Sequence, residues 1–334
     1  MVLNISGNFC FLKQVKNKYQ KFVFCPDVDA KVQKEFYGQR LVYLKEKIDQ
    51  IDVEKPIEKA DLLGVNSFNE NKKFNVLEHQ NRVFHSLPFD CPEGFTSFRK
   101  KAEPLLPGRY DQEIIPWDGD VIKEIDYYFH QTKLPSTYFN DRNGLVGRDY
   151  STKFSAFLSC GALDVRYLYN QIKDYELRNG SNKSTYWLVF ELLWREFFYW
   201  HYQKHKKKYF SQNGLHGPLD FSDFEIFEIS DLRNKVDHLF FQCALNELEE
   251  TGFLSNRARQ IFASVWLNDL NLNWRSGAKL FEEYLIDYDV FSNYGNWMYL
   301  AGVGVDPRGK RYFNVEKQLS TYDPKAKYLK KWGN

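Results

Sequence analysis

A chain of 334 residues with 43% hydrophobic content is long enough to bury one large core or two modest ones. It has no apolar run long enough to cross a bilayer, so the sequence reads as globular, with no membrane partner. A formal net charge of +2 carries no global nucleic-acid signal, so any attraction for phosphates must come from a local patch.

The N-terminus, MVLNISGNFCFLKQ, lacks the charged start, apolar core and small-residue cleavage site of a secretory leader, and a cytoplasmic location is expected. Five scattered cysteines, an odd number and never at CxxC spacing, predict reduced thiols and neither a disulfide framework nor a metal site. Aromatic residues are abundant at 18%, enough to line a planar ligand after filling a core.

Residues 1–85 hold one short extended candidate, KFVFC, a helical pattern in FYGQRLVYLKEKIDQI and a polar linker. They read as a short N-terminal region with no glycine-rich phosphate loop, followed by a body over 86–334. Prolines at 88, 92, 104 and 107 punctuate a connection around one short helix, GFTSFRKKAEPL. From about Asp120 the hydrophobic period is helical, which predicts an all-α body.

A helix is expected from Val165 to about Leu177, capped by Asp164 and followed by Gly180. The longest follows Ser184, where Trp187, Glu191, Trp194 and Phe198 share a face by i, i+4, i+7, i+11 spacing. Residues 214–231 break the period with an acidic stretch read as a loop or weak extended segment. Further helices are expected over about 236–250, closed by Gly252, over 256–270 and over 276–288.

Several long motifs occur in one order: RNGLVGRDYSTKFSAFLSCGAL, STYWLVFELLWREFF, TGFLSNRARQIFAS, NWRSGAKLFEEYLIDYDVFSNYGNW and RYFNVEKQLSTYDPKAKYLKKW. Together they make the chain from about Tyr138 to Trp332 resemble the flavin-binding helical domain of the photolyase and cryptochrome family, nearest to its DASH-type members. The resemblance implies FAD as cofactor. It assigns the diphosphate to the segment Ser151, Thr152, Lys153, Phe154 and Ser155, with Tyr138 and Trp194 nearby. By residue type alone those hydroxyls and the lysine suit either an anion or an ordinary helix cap. Asn256 and Arg259 sit one turn apart, and the resemblance implies that Asp287 pairs with Arg259 against the flavin. Asp289 matches a position near the ribose or ring edge. Asn293 matches the amide beside flavin N5, which donates or accepts according to the ring's protonation, although SNYGN also suits a turn.

The resemblance further implies that Glu191 contacts a pyrimidine dimer, while pairing with Arg195 one turn later is the alternative. Arg195, Arg257 and Arg311 match positions that meet DNA phosphates, and Trp187 and Tyr299 match aromatics that flank a flipped lesion or else fill the core. Trp297 and Trp274 match the inner two members of an electron-transfer chain. The outer member is lacking, because its block falls on Asp231, so a tyrosine or Trp266 is expected to substitute.

Other departures are the missing or reduced α/β antenna domain, which a partner chain is able to supply, and Gln242 and Asn246 where the family has Asp and Arg. These two are expected to alter one cavity wall. The acidic segment 220–231 disfavours duplex binding, whereas KHKKKYF at 204–210 suits single-stranded nucleic acid or a solvated helix end. The resulting expectation is light-driven electron transfer that repairs pyrimidine dimers in single-stranded DNA. The alternatives are a light or redox sensor acting through a protein partner, and a scaffold that has lost flavin.

Overall fold

The computed structural model describes residues 81–110, 119–159, 163–216, 222–304 and 309–333, and the expectations for residues 1–80 lie outside the described residues. Among the described residues there is no strand, as an all-α body requires. The centre is a helix of 23 residues, Lys183–His205, here α6, about 34 Å long at the α-helical rise. It begins where Asn182 and Thr185 form a reciprocal capping box that satisfies two orphan amide donors. It ends at Lys206, whose φ of 46° turns the chain out of the helix.

Four helices pack on α6: α1 (Phe95–Ala102), α3 (Leu134–Asp141), α5 (Val165–Asn179) and α11 (Val290–Ala301). Between α1 and α3 runs α2 (Gly119–Asp126), continued by a widened turn at Tyr127–Gln131, and α4 (Ser155–Ser159) precedes α5. The first part of α6, with Leu188, Val189, Leu192, Leu193, Phe197 and Phe198, joins one aromatic core built from residues 83–198 and Ile286. From Tyr202 onward it joins a second core reaching to Trp332.

That second core is closed by α7 (Ile229–Lys235), α8 (Leu239–Thr251), α9 (Asn256–Ser264), α10 (Trp274–Tyr284), α12 (Val315–Tyr322) and α13 (Lys327–Trp332). Asp164 caps α5 by accepting from the Arg166 amide, as the sequence predicts, and Gly252 ends α8 in the left-handed conformation at φ 64°.

Three boundaries differ from the sequence reading. The helix expected over 236–250 starts at Leu239, because His238 caps it. The one expected over 276–288 is shorter at its end, because Leu285 turns extended and Asp289 caps a separate helix, α11. The acidic 214–231 stretch is irregular over 222–228, and then Glu228 and Asp231 form the capping box that opens α7.

Among the described residues, packing into the body begins at Asn81. Its side chain donates to the Leu158 and Leu163 carbonyls and accepts from the Val165 amide at 2.7 Å. The fully buried Glu196 of α6 accepts from the Val83 and Phe84 amides, so a carboxyl group inside the helix bundle is satisfied by a strap crossing it.

Candidate functional site

A cavity of about 550 Å³ opens between α6, α11, α9 and the segment before α4. That is within the range of small-molecule and cofactor sites. From α6 come Trp187, Glu191, Trp194 and Phe198, all four on one wall as their spacing requires. From α11 come Ser292, Asn296 and Tyr299.

Ser151, Thr152, Lys153, Phe154 and Ser155 form another stretch of the wall, together with Tyr138. Lys153 sits at φ 58°, and its ammonium lies 3.7 Å from the Tyr150 ring centre and 4.3 Å from that of Phe253. Burial, helped by the charge of Arg259, lowers its pKa to about 7 against the pull of Glu247 and Asp287. Behind it burial pushes the Glu247 carboxyl up to about 7, although the Tyr328 hydroxyl donates to it at 2.7 Å. A cation on a partly dry wall is poised to meet an anion, which would restore its charge.

Arg259 and Asp287 pair as expected: Nη2 lies 2.8 and 2.9 Å from the two carboxylate oxygens while Nε donates to the Leu254 carbonyl. Both residues, with Asn256 and Asp289, line the cavity. Asp289 has a second job, since its Oδ1 accepts from the Ser292 amide at 2.8 Å and caps α11. Burial pushes its carboxyl up, but Arg82, Arg195 and the Ser292 amide outweigh that and hold the pKa below the ordinary carboxylate value.

Glu191 does not pair with Arg195, the cation its sequence neighbourhood offers. It pairs with Arg142 at 3.1 Å, 49 residues away, and accepts from the Trp187 indole at 3.1 Å. Burial raises its pKa against the lowering influence of Arg142 and Trp187, which favours the protonated form. Arg195 lines the cavity but turns inward, donating to the Asn81 carbonyl at 2.5 Å and facing Asp289 at 3.8 Å. Trp187 stacks on Phe190 at 4.3 Å and shares the wall with Tyr299.

Arg257 and Arg311 are not among the lining residues. Arg257 donates to Asn143 and Gln318, and Arg311 to the Tyr299 hydroxyl. Asn293 is not on the wall either; its amide donates to the Ala278 carbonyl at 2.9 Å and ties α11 to α10.

Trp297 and Trp274 stand behind the wall, both buried. Trp297 meets Trp266 edge-on at 6.1 Å, and Trp274 meets Tyr294 at 6.0 Å, so the aromatics named as substitutes are adjacent to the pair. The expected change of wall at Gln242 and Asn246 does not occur among the lining residues. Gln242 donates to the Arg233 and Val236 carbonyls, and Asn246 to that of Trp332, so both amides stitch helices together away from the cavity. Arg142, Gln260, Glu196 and Arg82 escaped the sequence reading; only the fold brings Arg142, Glu196 and Arg82 to their partners and Gln260 to the cavity wall.

Residues 242–333 match the family model described as the FAD binding domain of DNA photolyase. Cryptochrome DASH of Idiomarina loihiensis is 34% identical over 97% of this chain and 85% of its own length. The chain belongs to the photolyase/cryptochrome family. Cryptochrome DASH of Vibrio parahaemolyticus is 39% identical over 74% of this chain, which spans 62% of that relative. The crystal structure of a Synechocystis cryptochrome superposes with a TM-score of 0.66 at 35% identity, covering 75% of this chain and 61% of that one.

Membership in the photolyase/cryptochrome family makes FAD the cofactor of this chain. The cavity fits it: a cation and three hydroxyls for a diphosphate, aromatic and aliphatic side chains for a planar ring, and a carboxylate–guanidinium pair for polar edges. Two buried atoms of its lining residues, Gln260 Oε1 and Arg142 Nε, have no hydrogen-bond partner among the described residues, a deficit that a polar ligand is suited to relieve. Among the described residues no helix is long and apolar enough to cross a membrane.

Proposed function

We propose that this protein is a blue-light flavoprotein that repairs cyclobutane pyrimidine dimers in single-stranded DNA. FAD, when bound, supplies the light-absorbing group and the transferable electron. In this reading Ser151, Thr152, Ser155 and Lys153 hold the diphosphate, and Asn256, Arg259, Asp287 and Asp289 orient the remainder. Trp187 and Tyr299 flank the lesion by stacking. Glu191 holds a proton for a hydrogen bond to the pyrimidine, and Arg142 steadies the anion left when that proton is shared.

The observation that carries the reading is the α6 face, where a carboxyl with a raised pKa shares one wall with Trp187 and Trp194 and with the residues assigned to the cofactor. The test is photoreduced protein with dimer-containing oligonucleotides under blue light. Loss of the dimer is the expected result, and Glu191→Gln slows it by about 10²-fold. Dimers left unchanged overturn the reading.

A second reading, a light or redox sensor acting through a protein partner, draws on the inward engagement of the arginines expected at phosphates. Absence of DNA affinity together with a stable light-dependent protein complex favours it. In either reading a partner chain carrying the α/β domain is a further candidate for binding.

A further inference from the structure

The first part of the body holds a second cluster of chemistry that the flavin cavity does not use. On α6, His201 and His205 are one turn apart and therefore on one face. Both present Nε2 to the same carboxylate oxygen, Oε2 of Glu93, at 3.1 and 2.9 Å. One ligand atom from each of the three residues lies within 4.8 Å of the others, and the two Nε2–Oε2 separations of 3.1 and 2.9 Å are near the roughly 3.3–3.6 Å between donors around a tetrahedral ion with bonds of roughly 2.0–2.2 Å. His201 is fully buried, His205 half-buried and Glu93 exposed, so the cluster is fixed on its inner side and open on its outer side.

Hydrogen bonding within the protein serves the group poorly. Two imidazoles compete for one oxygen, and if both donate from Nε2 the buried Nδ1 of His201 is left without a partner. The other oxygen, Oε1, is held by the Lys204 ammonium at 2.5 Å, which leaves Oε2 as the free ligand atom.

We propose that Glu93, His201 and His205 form a site for a divalent transition-metal cation of the zinc type, bound by two imidazole nitrogens and one carboxylate oxygen with the outer position left to water. The ligand set is the nitrogen-and-oxygen kind that such ions prefer over calcium or magnesium. His201 and Glu93 are also in the protonation states that binding needs. Burial lowers the His201 pKa to about 4; burial pushes Glu93 up, but bonds from Lys204 and His201 outweigh that and hold it at about 2. The ammonium of Lys204 beside the carboxylate repels a cation, so the site is weaker than a closed structural zinc site.

Glu93 lies just before α1, whose N-terminal Phe95 stacks on Trp194 of the cavity wall at 3.7 Å. The ion would therefore clip the segment leading into α1 onto α6, next to the residues that build the cavity. No electron or group transfer is required of it.

The test is titration of Zn²⁺ into the full-length chain after chelator treatment, followed by calorimetry and thermal unfolding. One equivalent binds, and at a hundredfold excess over Kd the Tm rises by roughly 5 °C. Glu93→Gln and His205→Ala, both at residues with solvent access, each weaken binding at least about tenfold and cut the Tm rise at the same Zn²⁺ concentration to about half or less, because each removes one of three ligands. Their Tm without metal reports on folding separately. No saturable uptake by the wild-type chain overturns the proposal, and so does uptake that both variants retain.

Discussion

On the cavity side of α11, Ser292, Asn296 and Tyr299 face open space, whereas Tyr294, Trp297 and Met298 on its other side are at most 3% exposed and pack into the second core. The same short stretch thus meets two environments. Toward the core, a polar group must find its partner within the chain, and Asn293 does so at the Ala278 carbonyl. Toward the cavity, Asp287 is held by Arg259 and Asp289 by an amide and two guanidinium groups, while Gln260 keeps an oxygen unpartnered. Residue type alone therefore does not assign a role. An asparagine on one face is a brace, and an asparagine one turn away is positioned to meet a ligand.

Four experiments test that contrast. Asp287→Ala leaves Arg259 without its carboxylate on a partly buried wall and is expected to cost about 3 kcal/mol or more in urea unfolding, with flavin lost on purification. Retained stability and colour would show that the wall does not depend on the pair.

Next in size is a pH effect on the core side, where the Glu282 side chain is fully buried beside Lys279 and Tyr288 and burial raises its pKa to about 7. A carboxyl with a raised folded-state pKa contributes stability that is complete below its ordinary value of about 4.5 and is lost as pH rises through about 7. The wild type should therefore lose on the order of 2–3 kcal/mol more than Glu282→Gln between pH 5 and pH 8. Parallel stability profiles for the two proteins would contradict the assignment.

Gly277→Ala comes third, because a Cβ there overlaps the Trp297 ring, the inner face of the tryptophan layer. Overpacking of this kind costs about 1–3 kcal/mol, read as a lowered midpoint in thermal unfolding, and an unchanged midpoint would mean that the layer is loosely packed. The smallest effect is expected from Asn293→Ala, which removes one bond between α11 and α10. A loss of about 1 kcal/mol with flavin retained fits a brace, whereas bleached protein of normal stability would return Asn293 to the ring.

Much of this arrangement was readable from sequence because it is local. The α6 face follows from helical spacing, the Asp164 cap from residue type and position, and the Arg259–Asp287 pair from matched motifs. What was not readable depends on chain segments far apart. Glu191 finds Arg142 across 49 residues, and Glu93 meets His205 across 112. Asp289 shows a different failure: the sequence reading carries a helix to residue 288, while the helix ends at Tyr284 and the Asp289 carboxylate caps a new one. Widened turns at Tyr127–Gln131 and Val265–Asp269 leave no mark in the hydrophobic period, because each ends its helix and no helical turn follows whose phase it would shift.

The strap at residues 81–84 sets a limit on how far the chain can be shortened. Asn81 is bonded to three backbone positions around α4 and α5, and Arg82 stacks on Tyr199 at 4.2 Å and faces Asp289 at 3.9 Å. Cutting at residue 81 spares these bonds. Cutting at residue 86 leaves Glu196 buried without its amide donors and withdraws one of the two guanidinium groups from Asp289, so a unit that preserves the cavity includes residues 81–85, which a boundary drawn at 85 assigns elsewhere.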